Sequence, residues 1–276
     1  MRSRARLRDW LLSPLLAILC LTFIYPLAFM LFNSLKTRSD YFVNPFDLPK
    51  PPLQFSNYAS MISQFKIFTL FLNSFIVAAG TVVILLAVAV FASTIFAKYR
   101  FRGRQALYLA VLATMFIPSQ VTIIPVYVLF SRLGLVNRYW SVIFSYVALF
   151  LPEAILLTTA GFRAIIDELL EAAEIDGCGY LARIRHVMVP MGRASLALLI
   201  IFYFITAWND LFTPMIFLQS MNKRTVMVAL AALMGRYQGT PTLQFAGLLM
   251  SAVPALLIYA VFQRQIIKGL SMGAIK

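Results

Sequence analysis

The chain has 276 residues, of which 61% are hydrophobic and 12% charged, with a net charge of +14. A soluble domain carries about a quarter charged residues, so this chain has too little polar surface to coat a water-soluble globule, and lipid must be its solvent over much of its length. The basic residues cluster in short segments flanking long apolar runs rather than along one helix face, which excludes nucleic acid as a partner and fits the loops of a membrane protein.

Crossing the hydrocarbon takes about 20 apolar residues in a helix. Six stretches reach that length, at about 13–32, 68–97, 106–130, 140–162, 195–218 and 243–262. They are continuous and do not alternate polar with apolar, so the expected fold is all-α and polytopic rather than a β-barrel. The second stretch is longer than needed and should tilt or protrude. The first, preceded by Arg2, Arg4, Arg6 and Arg8, outruns a signal-peptide core and is followed by no A-x-A cleavage pattern, so it reads as a retained span.

Orientation follows from the loops. Segment 1–12, the turn after span two (Lys98, Arg100, Arg102, Arg104), the loop after span four (Arg163, Arg183, Arg185, Arg193) and segment 263–276 (Arg264, Lys268, Lys276) share one side. The positive-inside bias puts these segments, and both termini, in the cytoplasm, although Lys36 and Arg38 after span one vote the other way. The first outer loop contains Pro45, Pro49, Pro51 and Pro52 and reads as irregular, with a short helix near 57–62. It is either a solvated linker or a docking surface for an external partner. The chain reads as one transmembrane domain over 1–276: first span and outer loop at 13–67, then a five-span core at 68–262. Cys20 and Cys178 are far apart and are not expected to pair.

The most informative stretch is 167–190. Residues 167–176 are rich in Glu, Ala and Leu, and the pattern predicts a short amphipathic helix with Leu169, Leu170, Ala172 and Ala173 on its apolar face. Gly177 should end it. A second helix with a stripe of Leu181, Ile184 and Val187 follows, and Pro190 marks a boundary.

Glu171, Ala172, Ala173, Gly177 and Pro190 fall in register with Glu-Ala-Ala, three residues, Gly, nine residues, Ile-x-Leu-Pro. In this respect 167–190 resembles the EAA loop of ABC-importer permeases, with Val187 and Val189 standing where the family has Ile and Leu, and Cys178 where Ala is common. Segment 207–214, containing Trp208, Asn209 and Asp210, the tail 262–275, and Asn57-Tyr58 resemble the carbohydrate-uptake permeases. The resemblance implies a type I importer transmembrane domain with six spans in a bacterial or archaeal plasma membrane. It implies that Glu171, Ala172, Ala173, Asp176, Gly177 and Pro190 belong to a cytoplasmic coupling helix and its flank. It also implies three partners: a second, different permease chain, ABC ATPase subunits and an extracytoplasmic solute-binding protein. ATP and magnesium belong to the ATPase chains and no cofactor to this one, in agreement with the lack of any G-x-x-x-x-G-K-[ST] segment.

Polar residues within spans are the remaining candidates. Glu153 and Asp210 are carboxylates in apolar runs and should face the bundle interior or a wet cavity. With Gln120 and Asn209 they form a candidate translocation path, and Tyr127, Trp208 and Phe212 are candidates to stack on a sugar. The competing reading makes these groups interhelical hydrogen bonds. Pro118, Pro125, Pro152, Pro214 and Pro254 should bend or break helices. No Lys or Arg lies well inside a span, which favours a neutral cargo over glycerol phosphate. An intramembrane enzyme finds no support: there is no H-E-x-x-H and no G-x-S-x-G, and the lone His186 lacks a second ligand at suitable spacing. An ion-coupled secondary transporter would require an inverted repeat, and none is evident.

Overall fold

The computed structural model describes the backbone of residues 2–236 and 240–274 and the side chains of 13–233, 240–261 and 263. The basic side chains at 2–8 and 264–276 thus lie outside the described residues, as do most side chains of the tail 262–275. In chain order the α-helices are α1 (Arg2–Ser34), α2 (Arg38–Val43), α3 (Ser56–Ser63), α4 (Ile67–Lys98), α5 (Arg104–Ala113), α6 (Ser119–Arg132), α7 (Tyr139–Arg163), α8 (Glu168–Ile175), α9 (Tyr180–Arg183), α10 (Val189–Met191), α11 (Arg193–Asn209), α12 (Phe212–Phe217), α13 (Val226–Arg236) and α14 (Pro241–Ala274). Four of them are long and apolar enough to cross a membrane, and six spans result if two bent pairs each count as one.

The bent pairs depart from the expected straight spans. In place of one helix over 106–130, Arg104–Phe116 and Ser119–Arg132 meet at 99°. The cause is local: the residue before a proline is pushed out of the α region, and Ile117 before Pro118 is extended at φ −86°, ψ 114°. By contrast, α6, α7 and α14 run on through Pro125, Pro152 and Pro254. The expected fifth span, 195–218, ends instead at Asn209. Asp210 is extended there (ψ 133°), and its carboxylate accepts from the Phe212 and Thr213 N–H groups at 3.1 and 3.0 Å. Such side-chain acceptors compete with helix continuation. Helix α13 is an element the pattern did not predict, because its eleven residues are too few to read as a span.

The chain divides into two compact units, Met1–Phe68 with Leu230–Val253, and Thr69–Ala229 with Pro254–Lys276. In the first, α1 exposes an apolar surface to its surroundings: Leu21 is 67% and Phe23 75% exposed. The segment after it is ordered by polar contacts to its backbone. Lys36 Nζ donates to the carbonyls of Asn44 and Pro45 at 2.8 and 3.2 Å. Asn57 Nδ2 donates to Ser34 O at 2.8 Å, and the Tyr58 and Ser34 hydroxyls lie 2.6 Å apart. Both residues sit on α3, close to where a short helix was expected. Gly247 on α14 admits Met61 and Leu230, because a β-carbon there would stand 2.4 Å from Leu230 Cδ2.

In the second unit, α7 and α11 pack closely; a β-carbon on Gly161 would meet Ser195 Oγ at 2.3 Å. On one end of this unit, the segment before α13 is held by polar side chains. Asn73 Nδ2 donates to the carbonyls of Asn222 and Arg224, both at 2.9 Å, and Ser74 Oγ accepts from Val226 N–H at 2.9 Å.

Candidate functional site

The loop between α7 and α11 begins with α8. Its acidic first turn, Glu168 and Glu171, complements the positive helix N-terminus. Its end is a Schellman turn: Cys178 N–H bonds Ala173 O at 2.8 Å and Gly177 N–H bonds Glu174 O at 3.0 Å, with Gly177 at φ +82°. Gly177 therefore ends the helix as its position in the sequence implied. The apolar face differs from the expected one. Leu170 and Ala173 are partly buried, whereas Leu169 and Ala172 are exposed together with Glu171, Ile175 and Asp176. Ile175 is 86% exposed. Helix α8 thus presents a mixed acidic and apolar surface outward.

The loop is braced from behind. Ile184 and Met188 are buried against Val90, Phe162, Ile165 and Leu196. The expected stripe included Leu181, but that side chain is 66% exposed, and Met188, fully buried, takes its place. The reason is helical geometry. Residues 184–188 form one π turn, whose wider spacing brings Met188 rather than Val187 fully onto the buried face of Ile184. Pro190 is likewise no boundary: α10 runs through it to Met191, and the 78° bend falls at Gly192. A π turn just ahead of a proline relieves the clash its ring would have with the carbonyl four residues back. Lys98 donates to Asp167 Oδ1 at 2.6 Å and to the Ile165 carbonyl, tying α8 to the end of α4. Arg183 donates to Glu174 Oε2 at 2.6 Å, tying α9 to α8. A cavity of about 250 Å³ lies between these elements, lined in part by Glu171, Tyr180 and Arg183. Among the described residues, the buried Tyr180 hydroxyl and Arg183 Nε find no hydrogen-bond partner.

A second cavity, of about 570 Å³, opens where α11 breaks. Gln120, Asn209, Asp210 and Phe212 line it together with Tyr146 and Thr213. The structure thus brings four of the seven candidates for the path and for stacking to one place. The other three lie elsewhere. Trp208 is 2% exposed and stacks on Phe204 at 5.8 Å. Tyr127 accepts a 3.0 Å bond from Gln219 and packs on Phe217. Glu153 accepts from the Tyr203 hydroxyl at 3.2 Å. Asp210 is occupied as well, since Tyr146 donates to its Oδ2 at 2.7 Å beside the two backbone donors. Asp210 is the one titratable charge among the described lining residues, so the free polar groups facing the space are neutral amides and hydroxyls. Tyr146 escaped the sequence reading; its signal is the spacing of seven to Glu153, which puts both on one face of α7.

These features define a helical membrane component with an exposed helix on a braced loop and with a polar cavity beside its broken spans. The chain belongs to the family described as binding-protein-dependent transport system inner membrane component, whose profile matches residues 86–270. Members of that family are permease subunits of ABC importers. The chain is 31% identical over 255 residues to the diacetylchitobiose uptake system permease protein NgcG of Streptomyces coelicolor, covering 92% of this chain and 84% of that protein. It is 28% identical to the arabinooligosaccharides transport system permease protein AraQ of Halalkalibacterium halodurans, covering 100% and 99%. Among solved structures, a bacterial ABC transporter involved in import of the acidic polysaccharide alginate superposes with a TM-score of 0.81 at 24% identity, covering 96% of this chain and 98% of that one.

Proposed function

We propose that this chain forms half of the translocation pathway of an ATP-driven importer for a neutral sugar or oligosaccharide. A second permease chain supplies the other half, and a solute-binding protein delivers the cargo from outside. The ATP and magnesium sites belong to separate ATPase subunits, which engage α8 from the cytoplasm; both termini lie on that same side. The observation that carries this reading is the contrast across α8. Its outer surface (Leu169, Glu171, Ala172, Ile175) is exposed, while its back is braced through Leu170 and the Ile184–Met188 turn. An exposed helix held on a rigid back receives force from a partner and passes it inward.

The cargo assignment rests on the cavity and on the relatives. Gln120 and Asn209 offer amide donors and acceptors, and Phe212 offers a ring face. Hydrogen bonds plus an apolar face suit a sugar. Among the described residues, neither Lys, Arg nor His lines the space to meet a phosphate. The test is reconstitution of the complete complex in proteoliposomes with its binding protein. ATP-dependent uptake of a neutral oligosaccharide supports the reading. Uptake driven by an ion gradient without any ATPase subunit contradicts it.

A further inference from the structure

Helices α7 and α11 run in opposite directions on either side of the 167–190 loop, and two tyrosine–carboxylate pairs join them. Tyr146 of α7 donates to Asp210 at the end of α11 at 2.7 Å. Tyr203 of α11 donates to Glu153 of α7 at 3.2 Å. Each helix thus contributes one tyrosine and, seven residues further along the chain, one carboxylate, and the antiparallel packing sets each tyrosine against the other helix's carboxylate. Seven residues are about two helical turns, so both pairs meet at once only in a single sliding register of the two helices. Phe150 fills the space between them. Its ring stacks on Tyr146 at 5.4 Å and 7°, and on Tyr203 at 4.9 Å and 24°. Tyr146 and Tyr203 are 1% and 0% exposed. A carboxylate that loses its partner in such surroundings is costly, so sliding by one turn, which would break both pairs together, is opposed.

We propose that Glu153 and Tyr203 are positioning residues that fix the register of α7 against α11, so that motion of the loop between them reaches Asn209 and Asp210 undiminished. Neither residue lines the 570 Å³ cavity. Their action on cargo passes through the Phe150–Tyr146 stack to Asp210, whose carboxylate holds the start of α12 and hence the cavity wall. The proposal rests on the reading that an ATPase drives the loop.

The test is cargo transported per ATP hydrolysed by the complete complex in proteoliposomes. Tyr203→Phe removes one oxygen and keeps the stack, and Glu153→Leu removes the acceptor. Each is expected to lower the cargo-to-ATP ratio by about five-fold, the net worth of one hydrogen bond, while ATP hydrolysis continues. Glu153→Gln retains an acceptor for the tyrosine hydroxyl and is expected to keep most of the parent ratio. If Glu153→Leu does not assemble, Tyr203→Phe decides. A parent ratio in Tyr203→Phe overturns the proposal, as does a loss in Glu153→Gln equal to that in Glu153→Leu. Absence of ATP-driven uptake by the parent complex instead overturns the functional reading on which the proposal stands.

Discussion

Gly192 lies so close to Phe162 that a β-carbon on it would stand 2.4 Å from the ring's Cε1 and 2.9 Å from the Met188 carbonyl. This is the point at which the loop turns by 78° into α11. Phe162 is fully buried in the cluster that holds Ile184 and Met188, so the ring has no room to retreat. The bend between loop and span therefore depends on the missing side chain. Gly192→Ala is expected to cost about 1–3 kcal/mol, the usual range for overpacking. A lowered melting temperature of the purified permease complex, with reduced uptake, is the expected result.

Gly177 makes a different demand. Nothing lies within 4 Å of the β-carbon it lacks, but its φ of +82° is a region that side chains disfavour. Gly177→Val should cost about 1–2 kcal/mol from backbone strain alone. Because the Schellman turn orients the end of α8, the expected phenotype is a complex whose ATPase subunits bind less tightly. Gly177→Asn, which tolerates this conformation, should retain most of the binding. A pull-down of the ATPase chains checks the order Gly, Asn, Val.

Residues 208 and 209 are neighbours with opposite surroundings. Asn209 is exposed to the cavity, and Trp208 is buried. Asn209→Ala and Gln120→Ala are expected to weaken cargo uptake several-fold while the complex assembles normally. Trp208→Ala should cost about 3–5 kcal/mol of stability and reduce the amount of assembled complex. Uptake normalised to assembled complex separates the two effects.

Lys36 ties the segment after α1 to two backbone carbonyls. Burial, partly offset by Asp47 and Asp40, holds its ammonium below the ordinary lysine value of 10.5. The unfolded segment therefore binds more protons than the folded one between that lowered value and 10.5. Stability of this segment should rise as pH increases through that window. Lys36→Met leaves two carbonyls without their donor and is expected to cost about 1–3 kcal/mol. Hydrogen exchange at residues 37–58, measured against pH, reads both effects.

The all-helical fold, the approximate spans and the helix ended by Gly177 were legible because they depend on local rules: apolar length, helix-forming residues and a glycine at the turn. What was not legible depends on partners far away in sequence. Asp210 ends α11 because Phe212 and Thr213 N–H groups and the Tyr146 hydroxyl reach it, and a hydropathy window sees only an apolar run there. Met188 rather than Val187 is fully buried beside Ile184 because a π turn widens the spacing there, and no residue pattern announces that turn except the proline after it. Gln120 and Asn209 were found as polar residues in apolar surroundings. The same signal also drew in Glu153, which the fold pairs with Tyr203 away from the cavity.

Ile175, at 86% exposure on α8, offers the most direct test of the central claim. A single cysteine at this position, with Cys20 and Cys178 replaced by serine, is treated with a short bifunctional reagent in membranes containing the full complex. The account predicts labelling only from the cytoplasmic side and a cross-link to the ATPase chain whose yield changes when ATP is added. Labelling from the outer side, or a transport-competent complex that gives no cross-link to any ATPase chain, would contradict it.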